Sequence, residues 1–284
     1  MKIINSELNI GVEAPFQIVH ISDTHLTFAD SRDDERKNAL ANNRQMIFPN
    51  AEAVLSAAAE LANTLGVTII HTGDLIDFVS EANLDFVFEF MQKNDCFACA
   101  GNHEFSLYLG EAREDAAYRS QSLDRVQSAY RNNIRMDSRV IGGVNFVALD
   151  DGYYLFEERQ LAYLKKQAKR GLPIVLLLHN PIYEETLYNA ILYQRERLGL
   201  GPTKSRCAYL TAVPEEKMSH YSSERFTQQL ADEITLETVA YIKNEPMIKA
   251  VFAGHLHCNF DGNLTTRIPQ ILTSNEDIRI VTLR

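Results

Sequence analysis

Five short segments combine a tight turn with side chains able to hold cations: Ser22-Asp23-Thr24-His25, Gly73-Asp74-Leu75-Ile76-Asp77, Gly101-Asn102-His103-Glu104, His179-Asn180-Pro181 and Gly254-His255-Leu256-His257. Imidazole, carboxylate and amide oxygen are the donors that borderline divalent metals take, and no thiolate cluster competes with them. Asp23, His25, Asp74, Asn102, His179, His255 and His257 make seven donors. That is too many for one ion with an open position, and it suits two ions bridged by a carboxylate, for which Asp74 is the natural choice. Two cations about 3.5–4 Å apart can acidify a shared water, bind phosphoryl oxygens and offset charge in an in-line displacement, so no protein nucleophile is needed.

Such donors work only if the fold brings them together. Apolar runs at Phe16 to Ile21, Val67 to His71, Cys96 to Ala100, Val144 to Leu149, Ile174 to His179 and Ile248 to Ala253 predict strands. Amphipathic stretches at Ala51 to Leu65, Glu81 to Gln92, Glu157 to Lys169 and Ser223 to Lys243 predict helices. The alternation gives an α/β fold. The stretch from Thr265 to Arg284 reads as short strands with hairpin-like antiparallel pairing, which implies mixed sheets. All five donor segments follow predicted strands directly, and the carboxyl ends of strands in α/β sheets form the edge where ligands bind. The chain reads as one domain over residues 1–284, with an irregular excursion at about 183–221 that is a lid candidate.

The motifs, DxH at Asp23 and His25, GDxxD from Gly73 to Asp77, GNHE from Gly101 to Glu104, His179, and GHxH from Gly254 to His257, resemble those of the calcineurin-like metallophosphoesterase family, and they occur in that family's order. The resemblance implies a four-layer α/β/β/α sandwich and a dinuclear centre of transition or divalent ions such as Mn, Fe or Zn. It places Asp23, His25 and His257 on one ion, Asn102, His179 and His255 on the other, and Asp74 between them. It also implies that His103 is not a ligand but acts on the transition state or the leaving oxygen, with Asp77 orienting it. The expected reaction is hydrolysis of a small phosphoester by a metal-bound hydroxide.

Departures from the family pattern narrow the substrate. Phe78 and Val79 stand where protein Ser/Thr phosphatases have an arginine after GDxxD, and Asp77 stands where purple acid phosphatases have a tyrosine. The frequent His-His-Pro is His179-Asn180-Pro181 here, and the stretch after His257 is too short for a nucleotidase-type substrate domain. What remains is similar to compact bacterial phosphohydrolases, including class III cyclic-nucleotide phosphodiesterases, and favours a diester slightly over a monoester. The alternatives are a nuclease acting on single-stranded ends and a non-catalytic metal-binding scaffold of the same fold.

Composition bounds the partners. Lys+Arg 28 against Asp+Glu 38 gives a net charge of -10, which argues against long nucleic acids and anionic membrane surfaces. No apolar run approaches the roughly 20 residues of a membrane span, and the first residues lack a signal-peptide core, so the expected location is cytoplasmic. The sequence assigns no oligomeric state. Outside the motifs, His20 and His71 read as hydrogen-bonded core histidines, His220 as solvent-facing, and Cys96 and Cys99 as strand packing rather than a redox pair.

Overall fold

The computed structural model describes residues 1–109, 115–197 and 208–284. The first half contains β1 (Ile3–Leu8), β2 (Phe16–Ile21), α1 (Glu35–Gln45), α2 (Ala51–Leu65), β3 (Ile69–Thr72), α3 (Glu81–Lys93) and β4 (Cys96–Cys99). Two short helices, α4 (Ala116–Ser120) and α5 (Leu123–Gln127), lead into β5 (Met136–Ile141) and β6 (Val144–Leu149). Then come α6 (Glu158–Ala168), β7 (Ile174–Leu177), α7 (Glu185–Arg197), α8 (Ser223–Gln229), α9 (Glu233–Asn244) and β8 (Ile248–Ala253). The chain closes with β9 (Phe260–Asn263), β10 (Pro269–Leu272) and β11 (Ile278–Leu283).

The strands form a five-stranded sheet, ordered β1-β11-β2-β3-β4, and a six-stranded sheet, ordered β5-β6-β7-β8-β10-β9. Within the first, β2, β3 and β4 are parallel, and within the second, β6, β7 and β8 are parallel. The sheets face each other through a shared apolar layer: Ile18, Ile70 and Phe97 from one meet Phe146, Val175 and Phe252 from the other. The outer face of the first sheet buries Val54, Leu55 and Ala58 of α2 and Val87 and Phe90 of α3. The outer face of the second buries Leu164 of α6 and Val239 and Ile242 of α9. Each strand in the middle is therefore apolar on both faces, which is why the sequence shows continuous runs rather than alternation. This is the expected four-layer α/β/β/α arrangement.

Two expectations are revised. Ser223 to Lys243 is not one helix, because Asp232 caps α9 by accepting from the Thr235 N–H, while Leu230 ends α8 in extended backbone. The two strands within Thr265 to Arg284, β10 and β11, do not pair with each other. β10 lies parallel to β8 and antiparallel to β9, whereas β11 crosses to the other sheet, antiparallel to β2 and parallel to β1. α1 had no apolar periodicity to reveal it, since only Lys37 and Ala41 along it are buried. Of the expected excursion, residues 198–207 lie outside the described residues. On either side of them, Leu187, Tyr188, Leu210, Val213 and Met218 pack together against Ala253 and Leu272. Among the described residues, no helix is long and apolar enough to cross a membrane.

Candidate metal centre

The parallel runs of both sheets end at one edge of the molecule, where Asp23, His25, Asp74, His103, His179, His255 and His257 come together and Asn102 stands in the turn after β4. Ligand atoms of Asp23, His25 and His257 lie within 4.8 Å of one another, as do those of Asp74, His179 and His255. His25 Nε2 is 3.6 Å and His179 Nε2 3.1 Å from the same Asp74 Oδ2, so Asp74 stands between the groups. The turns that achieve this are strained. Asp23, His25, Asp74, His255 and His257 all have left-handed backbone, with φ of 54°, 51°, 54°, 67° and 50°. For residues with a Cβ that conformation costs about 1–2 kcal/mol each, and it persists only where the surroundings enforce it. Close approach is a second requirement: a Cβ on Gly101 would lie 2.3 Å from Asp74 Oδ1, and one on Gly254 would lie 2.2 Å from Asp23 Oδ2.

Hydrogen bonds set which ring nitrogen of each histidine faces inward. His25 Nδ1 donates to Asp77 Oδ1 at 2.8 Å, and His179 Nδ1 donates to the Thr72 carbonyl at 2.8 Å. Both acceptors are oxygens without a proton, so in the neutral rings Nε2 carries the lone pair. His25 Nε2 faces His257 Nε2 at 3.0 Å, and His179 Nε2 faces His255 Nδ1 at 3.1 Å. The outer nitrogen of His255, Nε2, is engaged by the Tyr154 hydroxyl at 2.8 Å. Facing ring nitrogens beside a buried carboxylate need a proton or a cation between them. Without a cation, burial would depress His179, but Asp74 and Asp23 override it and push its pKa up to about 10. These nitrogens and Asp74 would hold a divalent ion in place of that proton. The Asn102 amide oxygen is buried and has no hydrogen-bond partner among the described residues, and it lies in the turn that follows β4. The donor set thus fits two divalent ions.

His103 occupies the other side of Asp74, to whose Oδ1 its backbone N–H donates at 2.8 Å. Its Nδ1 donates to the Asp77 carbonyl at 2.8 Å and lies 3.2 Å from Asp77 Oδ1. Burial acts to lower the His103 pKa, but Asp74 and then Asp77 outweigh it and raise it to about 10.

The residue 16–259 segment matches the model of the calcineurin-like phosphoesterase family. The chain belongs to that family. Metal-dependent hydrolysis of phosphoric esters is the activity class this membership carries, and the matched segment contains all five strand-end turns described above. Among solved structures, a dimetal phosphatase from Danio rerio is similar in fold, with a TM-score of 0.50 and 15% identity over 91% of this chain and 87% of that one. A phosphopantetheinyl hydrolase from Mycobacterium tuberculosis aligns with a TM-score of 0.46 and 10% identity over 92% and 90% of the two chains. No curated protein matches this calcineurin-like phosphoesterase in sequence.

Several residues that build the site went unnoticed in the sequence. Glu104 is fully buried and accepts from the N–H groups of Asp74, Leu75 and Gly101 at 2.8, 2.7 and 2.6 Å, and from the Tyr130 hydroxyl at 3.0 Å. It locks two donor turns together. The turn after β6, Asp151 to Tyr154, is a sixth strand end at the same edge. Asp151 accepts from the N–H groups of His179 and Asn180, and Tyr154 reaches His255. In the sequence, Asp150-Asp151-Gly152 follows the apolar run Val144 to Leu149 directly. From α1, Arg44 grips Asp77, and Phe48, just beyond the helix, stacks on His25 with ring centroids 4.2 Å apart.

The bland readings also resolve. His20 is buried between the Thr72 and Thr273 hydroxyls, His71 bonds Thr24, and His220 is exposed. Cys96 and Cys99 point to opposite faces of β4, one into the helix-backed core and the other between the sheets, so they cannot act as a pair.

Proposed function

We infer that this phosphoesterase hydrolyses a small phosphoester, a diester in preference to a monoester, with two divalent or transition-metal ions at the strand-end edge. The observation that carries this reading is the convergence of Asp23, His25 and His257 into one group and of Asp74, His179 and His255 into another, with Asp74 near His25 as well. One ion is held by Asp23, His25 and His257, the other by Asn102, His179 and His255, and the donors suit Mn, Fe or Zn. When bound, the ions supply Lewis acidity, which activates a water and offsets charge on the phosphoryl oxygens.

The chain's own groups do the rest. His103 keeps Nδ1 on the Asp77 carbonyl, which leaves Nε2 to give a proton to the leaving oxygen. Asp77 fixes the orientation of that ring and of His25 through one carboxylate oxygen. Asn180 is buried, and its amide N–H donates to the Asp151 carbonyl. The diester preference follows from the resemblance to compact bacterial phosphohydrolases and from this loss of a second histidine.

The test joins metal analysis to turnover of bis-p-nitrophenyl phosphate, p-nitrophenyl phosphate and cyclic nucleotides with Mn²⁺. About two metal ions per chain and faster turnover of the diester are expected. Faster turnover of the monoester would overturn the preference, and no turnover of any of them by metal-loaded protein would overturn the reading.

A further inference from the structure

Arg44 is the one described cation fixed against the buried carboxylate that serves both His25 and His103. Its Nε donates to Asp77 Oδ2 at 2.6 Å and its Nη2 to Asp77 Oδ1 at 2.8 Å. Its guanidinium carbon lies 4.9 Å from the centre of the Phe48 ring, and that ring lies flat on His25. A guanidinium has five N–H donors. Asp77 takes two, and neither donor on Nη1 has a partner among the described residues. Asp77 itself is fully buried, whereas the Arg44 side chain is 22% exposed. A bidentate ion pair with a ring packed beneath it removes the rotamer freedom that an exposed arginine would lose on binding a ligand, so the remaining donors are pre-organised.

The geometry points to Arg44 as a substrate contact that binds an anionic oxygen on the leaving-group side of the scissile phosphate. The side follows from Asp77. Its Oδ1 meets Arg44 Nη2 at 2.8 Å and lies 3.2 Å from His103 Nδ1, which sets the guanidinium beside the residue that serves the leaving oxygen. The assignment rests on the phosphoesterase reading above and deepens it: the substrate class is a phosphoester whose leaving group carries a carboxylate or a second phosphate. Arginine suits either because its planar donors match both anions.

Two matched phosphonates that cannot be hydrolysed test this: 3-phosphonopropionate, which carries the carboxylate, and n-propylphosphonate, which lacks it. Their Kd values on Mn²⁺-loaded protein come from calorimetry, and their inhibition constants from p-nitrophenyl ester turnover. Wild type should bind the carboxylate compound at least about tenfold more tightly, the size of one charge-assisted hydrogen bond. Arg44→Gln should erase that preference, weakening the carboxylate compound at least about tenfold more than n-propylphosphonate. Arg44→Lys, which keeps the ion pair with Asp77, should keep part of the preference. No preference in wild type, or one that survives Arg44→Gln, overturns the proposal. Equal weakening of both compounds overturns it too, because Arg44 would then act only by holding Asp77. Failure of the phosphoesterase reading shows separately, as absent turnover with metal bound, and calorimetry still reads the phosphonates.

Discussion

Two buried aspartates flank the metal centre without being among its expected ligands, and the chain treats them in opposite ways. Asp77 faces cations and ring nitrogens: Arg44 holds both its oxygens, and His25 and His103 share one of them. Burial acts to raise its pKa, but Arg44, His103 and His25 outweigh burial and hold it well below the usual carboxylate range. Asp151 faces neutral donors, namely the N–H groups of His179 and Asn180 at 2.8 and 3.1 Å and the Thr211 hydroxyl at 3.3 Å. There burial wins over the opposing His179 and pushes its pKa up to about 7. The charged side is also the side with access to solvent, through His103 and Arg44, whose side chains are 18% and 22% exposed. The neutral side is less open, with His179 and Asn180 fully buried and His255 half-buried. Charge is thus concentrated where substrate can arrive, and the opposite wall is built from dipoles that position ligands.

The contrast can be broken at several points. Asp74 belongs to both sides, so Asp74→Ala should remove bound metal and activity together. Metal analysis with a turnover assay checks this, and retained turnover would sink the bridging assignment. On the charged side, His103→Ala should lower kcat by about 10²–10⁴-fold with metal content unchanged, the usual range for a lost proton donor. Asp77→Asn should cost less, about tenfold in kcat, because the backbone carbonyl that accepts from His103 remains while the side chain turns an N–H toward groups that are already donors. If kcat of Asp77→Asn equals that of wild type while His103→Ala is inactive, Asp77 is structural and the two aspartates are more alike than their contacts imply.

Legibility in the sequence followed the same division. Asp77 could be found because it sits at fixed spacing from Asp74 in a turn after a strongly apolar strand. The four layers were readable for a related reason, since strands buried on both faces give continuous apolar runs. Asp151 carries no such spacing signal, and its partners, the N–H groups of a distant turn and Thr211, exist only once β6, β7 and the 208–213 segment have come together. Arg44 was hidden more deeply, because α1 buries almost nothing and so leaves no periodicity. The strand-to-sheet assignment of β11 was likewise out of reach: Ile278–Leu283 pairs with β2, far away in the chain, while the neighbouring β10 joins the other sheet. Local pattern revealed the donors, and long-range contacts determined what orients them.

The smallest expected effect is on the neutral side and tests whether it is neutral at all. In Asp151→Asn the amide oxygen can still accept from the His179 and Asn180 N–H groups, and its NH₂ can donate to Thr211, so the contacts survive while the charge cannot form. An unfolded aspartate titrates near about 3.9. Folded Asp151 holds its proton up to about pH 7. Between those values the folded chain binds a proton that the unfolded chain has released, so wild-type stability falls as pH rises through the window. The variant lacks this group and escapes the loss. Thermal unfolding of metal-free protein should therefore show the Tm of Asp151→Asn gaining on wild type from about pH 5 to pH 7 and holding a constant lead above about pH 8, while the metal-loaded variant keeps kcat within about twofold. A Tm difference that does not change with pH would mean that Asp151 is ionised in the folded protein with its charge offset by His179. The less open wall would then be built on charge, like the other, and access to solvent alone would separate them.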